Sequence, residues 1–251
     1  MLSTIIVMKN DYSRLEKTIE SLQSQVDVNS DDWEILLFDG SDRREFVKIE
    51  TNSNLNFRHI FGKDNGIYDA MNKATLHVTK PYIHFLNCGD EVASLDTISK
   101  TIDFLKKNTF YLGLWDYYNT ETQMKVTMTD LSLNTLLTGK SSYCHQAQIL
   151  SASIFEHHNY NTNLQLCADY LLTLHLLSTS KPISLGFLGI VYEGSGFSSQ
   201  KLQQIRFEKK SAIKLWINQM NTTEKLKNIR SIILALTWNS SIFLTAVLKR
   251  L

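Results

Sequence analysis

The sequence predicts an α/β fold in which a mostly parallel sheet carries helices on both of its faces. Short apolar runs rich in branched side chains recur along the chain, as in Leu2–Met8, and are typical of strands buried on both faces. Helical patterns lie between them: Leu15, Ile19 and Leu22 would share one face of a helix. Strands that alternate with helices form right-handed βαβ units, which makes the strands parallel.

The same criteria predict the remaining elements. Strands are expected at residues 33–38, 57–60, 82–86, 110–118, 126–128 (antiparallel to the preceding run), 143–150 and 183–191. Helices are expected at residues 13–24, 67–76, 95–105, 131–137 and 169–177, with a helical pattern from residue 200 onward. The sequence contains no internal repeat and no clear linker, but its pattern is helical throughout from residue 200, so we predict one domain at 1–199 and a C-terminal helical extension at 200–251.

The composition is that of a globular protein. A chain of 251 residues fits one large domain, or a domain with an appendage, and can bury a sizeable core. Hydrophobic residues make up 43% of the sequence and charged residues 20%, which argues against disorder. The formal net charge of +1 argues against a nucleic-acid-binding protein, because such proteins usually carry a strong excess of basic residues.

The cysteines and the N-terminus indicate the compartment. Cys88, Cys144 and Cys167 are far apart and form no CxxC pair, which argues against a disulfide scaffold and a structural zinc site. The N-terminus enters an apolar strand directly and lacks the basic and long apolar regions of a signal peptide. We therefore expect a cytoplasmic location.

Residues 61–91 combine a polar loop, a helix and a buried strand that ends in acidic residues. A glycine-containing turn at 63–66 precedes the predicted helix, and the apolar run 82–86 stops at residues 87–91, which read NCGDE. Ligands of open α/β sheets bind at the carboxyl ends of the strands. Hard oxygen ligands in such a loop suit Mg²⁺ or Mn²⁺ bound together with substrate phosphates.

Several common catalytic motifs are missing from the sequence. No GxGxxG follows the first strand and no GxxxxGK[ST] occurs, which argues against a dinucleotide site and a P-loop. The glycines around Ser195 do not form the GxSxG elbow of serine hydrolases. The candidates that remain are carboxylates and amides at predicted element ends: Asp39, Asp64, Asp69, Asn72, Asn87, Asp90, Glu91 and Asp169.

Two blocks, DNGIYDAMNK at 64–73 and FLNCGD at 85–90, resemble the inverting family 2 glycosyltransferases of bacterial surface-polysaccharide assembly. The resemblance is closest to the colanic-acid-type branch, and several blocks in the same order are more specific than one. It implies the GT-A fold and spans roughly residues 3–199. The further matching blocks are DGSD at 39–42, HQ at 145–146, ADY at 168–170 and the stretch 194–199.

The resemblance implies a role for each matched residue. Asp169 would be the catalytic base that deprotonates the acceptor hydroxyl as it attacks the anomeric carbon. Asp90 and Glu91 would hold Mg²⁺ or Mn²⁺ on the donor diphosphate. The residues implied to contact the nucleotide and the diphosphate are Asp39, Asp64, Gly66, Ala70, Asn72, Lys73 and Asn87. Those implied to contact the substrate are His145, Gln146 and Gly196.

The sequence departs from the family pattern at two points. Gly89 occupies the position that is most often the metal-binding aspartate, so coordination would fall to Asp90, helped by Glu91 or Asn87. The loop 39–42 is shorter than the usual DGxSxD, which leaves the role of Asp42 open.

The proposed site residues also have structural interpretations. Asp90 and Asp169 each precede a predicted helix and could be simple N-caps. His145 could be a structural histidine on a strand.

The C-terminal helices suggest a membrane-proximal role. Between residues 200 and 251 the basic residues outnumber the acidic ones, and residues 239–241 interrupt any run of the ~20 apolar residues that a membrane span needs. An interfacial helix beside a lipid-linked acceptor is one interpretation. A helical cap on the domain, or a dimer contact, is the other. One apolar helical face is expected from Ile229, Ile232, Ile233, Leu236, Phe243 and Val247.

Together these observations predict an inverting glycosyltransferase. We expect its donor to be a nucleotide sugar, with UDP as the first candidate nucleotide, and its acceptor to be a glycan or lipid-linked glycan of the bacterial surface. It would work in the cytoplasm or at the inner face of the cell membrane. The alternative is a catalytically silent domain that binds a nucleotide sugar or a partner enzyme. A nucleotidyltransferase would need a glycine-rich phosphate loop near the N-terminus, and the sequence has none.

Overall fold

The computed structural model describes residues 1–42, 55–141, 143–194 and 201–237. Its strands are β1 (Leu2–Met8), β2 (Trp33–Asp39), β3 (Asn56–Phe61), β4 (Tyr82–Asn87), β5 (Glu91–Val92), β6 (Leu112–Asn119), β7 (Met124–Val126), β8 (Gln148–Ser151) and β9 (Ile183–Tyr192). Its helices are α1 (Tyr12–Gln23), α2 (Ile67–Thr75), α3 (Thr97–Lys107), α4 (Leu133–Thr138), α5 (Ala168–Thr179), α6 (Leu202–Gln219) and α7 (Thr222–Lys227). Residues 229–237 are also helical.

Within the described ranges the nine strands form one sheet in the order β3-β2-β1-β4-β8-β6-β9-β5, with β7 paired to β6. The first four of these strands are parallel to one another. β8 is antiparallel to β4 and β6, and β5 is antiparallel to β9, while β6 and β9 are parallel. The predicted α/β class is therefore confirmed, with a sheet that is parallel in its N-terminal half and mixed beyond it.

The N-terminal elements follow the apolar pattern closely. All seven residues of β1 and all seven of β2 are buried, as continuous apolar strands between two layers should be. In α1 the buried positions are Leu15, Thr18, Ile19 and Leu22, so the predicted stripe is the face that packs inward.

The structure corrects the prediction at residues 143–150. This stretch was expected to be a strand that carries His145 and Gln146, but both residues lie in a short 3-10 helix, His145–Ala147. The turn is closed by a hydrogen bond from the Ala147 N–H to the Cys144 carbonyl at 3.2 Å. Only Gln148–Ser151 forms a strand. The two-residue strand β5 was not predicted, because two residues carry no recognisable period.

The register of the parallel strands brings their carboxyl ends to one edge of the sheet. Met8 of β1 lies beside Asp39 of β2, and Val7 lies beside Asn87 of β4. The start of α1 and the loops after β2, β3 and β4 therefore meet at this edge, where an open α/β sheet binds ligands.

The helices after residue 200 pack on the rest of the molecule. Trp216 of α6 is fully buried, and its indole N–H donates to Ser178 Oγ of α5 at 2.7 Å. The α6 side chain Glu208 accepts hydrogen bonds from the N–H groups of Leu166 and Cys167, just before α5 begins. In the part of the chain that the structure describes, no helix has both the length and the apolar character needed to cross a membrane.

Candidate active site

A cleft of about 650 Å³ lies at the carboxyl ends of β1 and β4. Its walls come from the start of α1, the loop and first turn of α2, the turn after β4, the 3-10 segment before β8, the start of α5 and two residues of α6. Of the predicted site residues it brings together Asp64, Gly66, Ala70, Asn87, Asp90, His145, Gln146 and Asp169. Outside its lining lie Asp39, Asn72, Lys73 and Glu91. Gly196 lies outside the described residues.

Asp169 is held in the cleft by two tyrosines. Tyr68 donates its hydroxyl to Asp169 Oδ1 at 2.6 Å, and Tyr143 donates to Oδ2 at 2.9 Å. The residue lies in the first turn of α5, where the helix dipole favours a negative charge. The N-cap of α5 is Cys167, so the carboxylate of Asp169 is aimed at its tyrosine partners and is not the N-cap.

The two tyrosines remain neutral donors to this carboxylate. Burial raises the pKa of both hydroxyls well above its ordinary value, and the adjacent Asp169 raises it further. Two neutral O–H donors on one carboxylate fix its orientation and leave its negative charge in the cleft. A carboxylate in this state can accept a proton from a bound hydroxyl group.

His145 lies beside the same carboxylate. Its Nδ1 is 3.8 Å from Asp169 Oδ2, and its Nε2 is buried without a hydrogen-bond partner among the described residues. Burial lowers the pKa of His145, and Asp169 opposes this only in part. The side chain is thus a neutral imidazole in the wall of the cleft, with one nitrogen available to a bound molecule.

The loop before α2 is shaped by its own polar side chains. Asp64 Oδ1 accepts the Gly66 N–H at 2.9 Å, and Asp69 Oδ2 accepts the Asn65 N–H at 2.8 Å. Gly66 has φ = +124°, which favours glycine, and it precedes the first residue of α2. The N-terminus of α2 consequently opens into the cleft, an arrangement that suits an anion.

The loop after β2 touches this loop directly. A Cβ at Gly40 would collide with the carboxylate of Asp64, so only a glycine lets the two loops approach this closely. Two consecutive blocks of the predicted order, 39–42 and 64–73, are therefore in contact at the edge of the sheet.

Asn72 and Lys73 have structural contacts. Asn72 donates to the Tyr160 carbonyl and accepts the Tyr160 N–H, both at 2.9 Å, so its amide is occupied by backbone. Lys73 binds Asp69 Oδ2 and the Lys63 carbonyl, both at 2.8 Å. Neither residue lines the cleft, and both contacts hold α2 and its loop in place.

Asp39 is likewise occupied within the protein. It is buried and accepts hydrogen bonds from the Ser41 N–H and the Tyr12 hydroxyl, both at 2.8 Å, while His59 Nε2 lies 3.1 Å away. Burial alone would raise the pKa of Asp39, but these hydrogen bonds lower it below its ordinary value. Its carboxylate braces the loop after β2, and a direct contact with a nucleotide base stays a prediction.

The turn after β4 is anchored to α1. Thr18 Oγ1 accepts the Gly89 N–H and donates to the Asp90 carbonyl, both at 2.9 Å. The Asp90 N–H closes the turn onto the Asn87 carbonyl at 3.1 Å. The side-chain oxygen Oδ1 of Asn87 is buried with no partner among the described residues, so it is available to a ligand. Asp90 precedes β5 and is not a helix cap.

The acidic side chains of this tip point to different places. Asp90 faces the cleft and accepts the Glu193 N–H at 2.9 Å. Burial raises the pKa of Asp90 to about 7, which the Glu193 N–H and Arg14 oppose only in part. Glu91 instead pairs with Lys17 of α1 at 2.6 Å and does not line the cleft.

Arg14 and Glu193 complete the tip, and neither was predicted. Arg14 Nη2 forms an ion pair with Glu193, and Nη1 lies 3.3 Å from Asp11 Oδ2. Arg14 Nε is buried and has no partner among the described residues. A Cβ at Gly89 would lie 2.8 Å from Arg14 Nε, so the guanidinium fills the space that a side chain at position 89 would take.

These contacts do not fit the predicted site for Mg²⁺ or Mn²⁺. Asp90 lines the cleft while Glu91 pairs with Lys17 outside it, Gly89 supplies no side-chain oxygen, and a guanidinium lies among the acids that remain. Nowhere in the described ranges do three His, Cys, Asp or Glu side chains form a group that could hold a metal ion. We therefore assign no step to a metal.

The contacts that the sequence could not predict are long-range. Tyr68 belongs to the DNGIYDAMNK block, but its partner Asp169 is 101 positions away, and Glu193 is 179 positions from Arg14. Tyr68 lies inside the matching block DNGIYDAMNK, and this position could have marked it as a site residue. Arg14 and Glu193 lie in none of the matching blocks.

Comparison with known proteins identifies the family. The model of glycosyl transferase family 2 matches residues 3–159, which is more than half of the chain. No curated protein sequence matches this chain significantly.

Solved structures share the fold. TarS 1-349 of S. aureus in complex with UDP-GlcNAc has a TM-score of 0.73 at 12% identity, over 96% of this chain and 72% of TarS 1-349. The same protein in complex with UDP has a TM-score of 0.70 at 14% identity, over 94% and 70%. The mannosyltransferase PcManGT from Pyrobaculum calidifontis, in complex with GDP-Man and Mn²⁺, has a TM-score of 0.61 at 12% identity, over 98% and 79%.

The cleft at the sheet edge, the GT-A architecture and the family match agree with one another. The chain belongs to glycosyl transferase family 2.

Proposed function

We propose that this protein is an inverting glycosyltransferase that moves a sugar from a nucleoside-diphosphate donor, UDP-linked, to a hydroxyl group of a bacterial surface glycan. The observation that carries this proposal is the carboxylate of Asp169, held by Tyr68 and Tyr143 in a cleft beside the open N-terminus of α2. The donors that the similar structures contain, UDP-GlcNAc, UDP and GDP-Man, support the donor class.

In this mechanism Asp169 acts as the base. Its carboxylate takes the proton of the acceptor hydroxyl while the oxygen of that hydroxyl forms a bond to the anomeric carbon. The bond from the anomeric carbon to the diphosphate oxygen breaks, and the nucleoside diphosphate leaves with the electron pair. Attack opposite the leaving group inverts the anomeric centre. No second carboxylate acting as a covalent nucleophile is required.

The donor would lie against the loops at the carboxyl edge of the sheet. The N-terminus of α2, with Asp64 and Gly66 in front of it, faces the cleft and suits a diphosphate through its N–H groups. Asn87 offers an unpaired amide oxygen to the sugar or ribose. His145 and Gln146 also line the cleft and would contact the transferred sugar.

A catalytically silent nucleotide-sugar-binding domain is the second candidate. It is favoured by Gly89, which replaces an expected acid, and by the pairing of Glu91 with Lys17 outside the cleft. The two hydrogen bonds that orient Asp169 argue against it, because a binding domain has no need of an oriented carboxylate at this place.

A panel of nucleotide sugars tests the proposal. The full chain is incubated with UDP-, GDP- and dTDP-linked sugars, with and without cell-derived lipid-linked glycans, and the released nucleoside diphosphate is measured. We expect release from one nucleotide class, stimulated by the acceptor fraction. Donor binding without any release would support the silent domain instead.

The acceptor would be lipid-linked and reached at the membrane surface. Ile229, Ile233 and Leu236 are 49–58% exposed on the helix 229–237, and the preceding α7 carries Lys225 and Lys227 in its last turn. Apolar side chains beside basic ones suit the inner face of a membrane that contains anionic lipids. A dimer through the same face is the alternative.

Vesicle binding distinguishes these two. We expect the chain to co-sediment with anionic vesicles and the triple variant Ile229→Ser, Ile233→Ser, Leu236→Ser to lose most of this binding. Leu76→Ser serves as the matched control, since Leu76 is 81% exposed at the end of α2. A concentration-dependent dimer that the triple variant abolishes, without vesicle binding, would support the dimer.

A further inference from the structure

Arg14 occupies the centre of the acidic tip in the cleft. It lies in the first turn of α1, directly after the carboxyl end of β1, and its carbonyl accepts the Gly89 N–H at 3.2 Å. Its guanidinium has Asp11 on one side and Glu193 on the other, and Asp90 lines the same part of the cleft. The tip therefore contains its own cation.

Gly89 and Arg14 are complementary in shape. With φ = +94°, position 89 favours glycine, and a Cβ there would meet Arg14 Nε, Arg14 Nη2 and Glu193 Oε2 within 2.8 Å. An aspartate at this position would have to displace the guanidinium. The glycine at position 89 and the guanidinium of Arg14 therefore depend on each other: the missing side chain leaves the space that the guanidinium fills.

We propose that Arg14 supplies the positive charge for the donor diphosphate, so that this chain binds nucleoside diphosphates without a divalent metal ion. The inference rests on the proposed function, because it concerns the donor of the same cleft. A planar guanidinium presents paired N–H donors that match two phosphate oxygens, which makes arginine a suitable phosphate ligand. Each of its two Nη nitrogens carries two N–H groups, so the ion pairs with Asp11 and Glu193 leave donors over, and the residue lines the cleft.

A divalent cation and this guanidinium would compete for the same acids. Asp11 and Glu193 are already bound to Arg14, and Glu91 is bound to Lys17. A metal ion held by Asp90 would therefore lie close to the guanidinium of Arg14, which Asp11 and Glu193 hold in place. The two like charges would repel each other, which favours one cation over two.

Isothermal titration calorimetry tests the inference by measuring the affinity of the full chain for a nucleotide. The nucleotide is UDP, or the one that the donor panel selects. The titration is done in EDTA and again with Mn²⁺, on the wild type and on Arg14→Gln, Arg14→Lys and the control Lys17→Gln. Lys17 lies one turn further along α1 and pairs with an acid outside the cleft. Thermal unfolding of each variant shows whether it is folded.

We expect the wild-type affinity in EDTA to stay within about twofold of that in Mn²⁺. Arg14→Gln should weaken binding by about tenfold or more in both conditions, because a charge-assisted contact is lost. The affinity of Arg14→Lys should lie between that of the wild type and that of Arg14→Gln. Lys17→Gln should bind the nucleotide as the wild type does.

Two results would overturn the inference, and they are distinguishable. Binding that EDTA abolishes and Mn²⁺ restores, in the wild type and in Arg14→Gln alike, would show that the arginine only ties Glu193 to α1. If no nucleoside diphosphate bound in either condition, the proposed function would fail as well.

Discussion

At the scale of single residues, the orientation of Asp169 depends on two hydroxyl groups from distant parts of the chain. Tyr68 comes from α2 and Tyr143 from the segment before the 3-10 helix, and each binds a different oxygen of the carboxylate. Neither tyrosine contributes its own proton to the reaction, since burial and Asp169 hold the pKa of both well above the ordinary value. They act as positioning residues.

The variants Tyr68→Phe and Tyr143→Phe test this role. Each loses one hydrogen bond to a charged acceptor, and we expect kcat to fall about tenfold while the KM for the donor changes little. Tyr111→Phe is the control, because Tyr111 is exposed outside the cleft. A rise in KM at unchanged kcat would indicate that the tyrosines hold the donor and do not orient the base.

The sequence predicted the carboxylates that line the cleft better than the contacts that hold the surrounding loops in place. Asp64, Asp90 and Asp169 line the cleft as expected, because each follows a strand or begins a helix at one sheet edge. Asn72 and Lys73 belong to the same block, but their contacts with Tyr160 and Lys63 turn them into braces. A linear pattern gives the residue types of a site and says little about which side chains already have partners.

At the scale of elements, the loops after β2 and β3 must touch for the site to form. Gly40→Ala would place a methyl group against the carboxylate of Asp64. We expect donor binding to weaken by about tenfold, since Asp64 and the loop in front of α2 would be displaced. Titration with the donor nucleotide measures the effect.

Gly186→Ala is the matched control for this prediction. Gly186 also has a positive φ, +77°, but nothing lies within 4 Å of its added Cβ, and it is outside the cleft. We expect a loss of about 1 kcal/mol in unfolding free energy and no change in donor affinity. Equal loss of affinity in both variants would contradict the role assigned to the contact between the loops.

The central strand β4 carries a buried histidine that should make the fold sensitive to acid. His84 Nε2 donates to the Gln146 carbonyl at 2.9 Å, and Nδ1 has no partner among the described residues. Burial lowers the pKa of His84 to about 3, despite the hydrogen bond to Gln146. Protonation would put an N–H without an acceptor into the core.

The sign of the pH effect follows from this lowered pKa. The stabilisation is present above the ordinary pKa of about 6.5 and is lost as the pH falls towards 3. Between pH 7 and 4.5 the wild type should lose about 2–3 kcal/mol more than His84→Gln in urea unfolding. Parallel pH profiles for the two proteins would show that His84 titrates normally.

At the scale of the whole molecule, α6 joins the C-terminal helices to the catalytic edge. Glu208 accepts the N–H groups of Leu166 and Cys167 just before α5, and Lys209 and Ile205 line the cleft. The boundary at residue 200 was drawn from the sequence because the matching blocks end there. In the structure α6 contributes residues to the lining of the cleft. This contact could not be predicted from the local pattern of the sequence.

Glu208→Ala should weaken the whole fold. One buried and one partly buried N–H group would lose their acceptor, and we expect the unfolding free energy to fall by about 2–3 kcal/mol. Lys214→Ala, an exposed position of the same helix, should change it by less than about 0.5 kcal/mol. Equal stability of the two variants would mean that α6 is not coupled to the start of α5.

The order of the strands could be predicted only in part. The parallel half of the sheet follows from buried apolar runs separated by helices. The antiparallel pairings of β8 and β5 depend on contacts between strands that are far apart in the chain, and short strands carry too little pattern to reveal them.

The central claim is that Asp169 is the base of a sugar transfer, and one comparison tests it most directly. Asp169→Asn and the wild type are assayed for nucleoside diphosphate release from the selected donor with the acceptor fraction, and their donor affinities are measured by titration. We predict that kcat falls by about 10²–10⁴-fold in Asp169→Asn while the donor dissociation constant stays within about threefold. Unchanged turnover in Asp169→Asn would contradict the account.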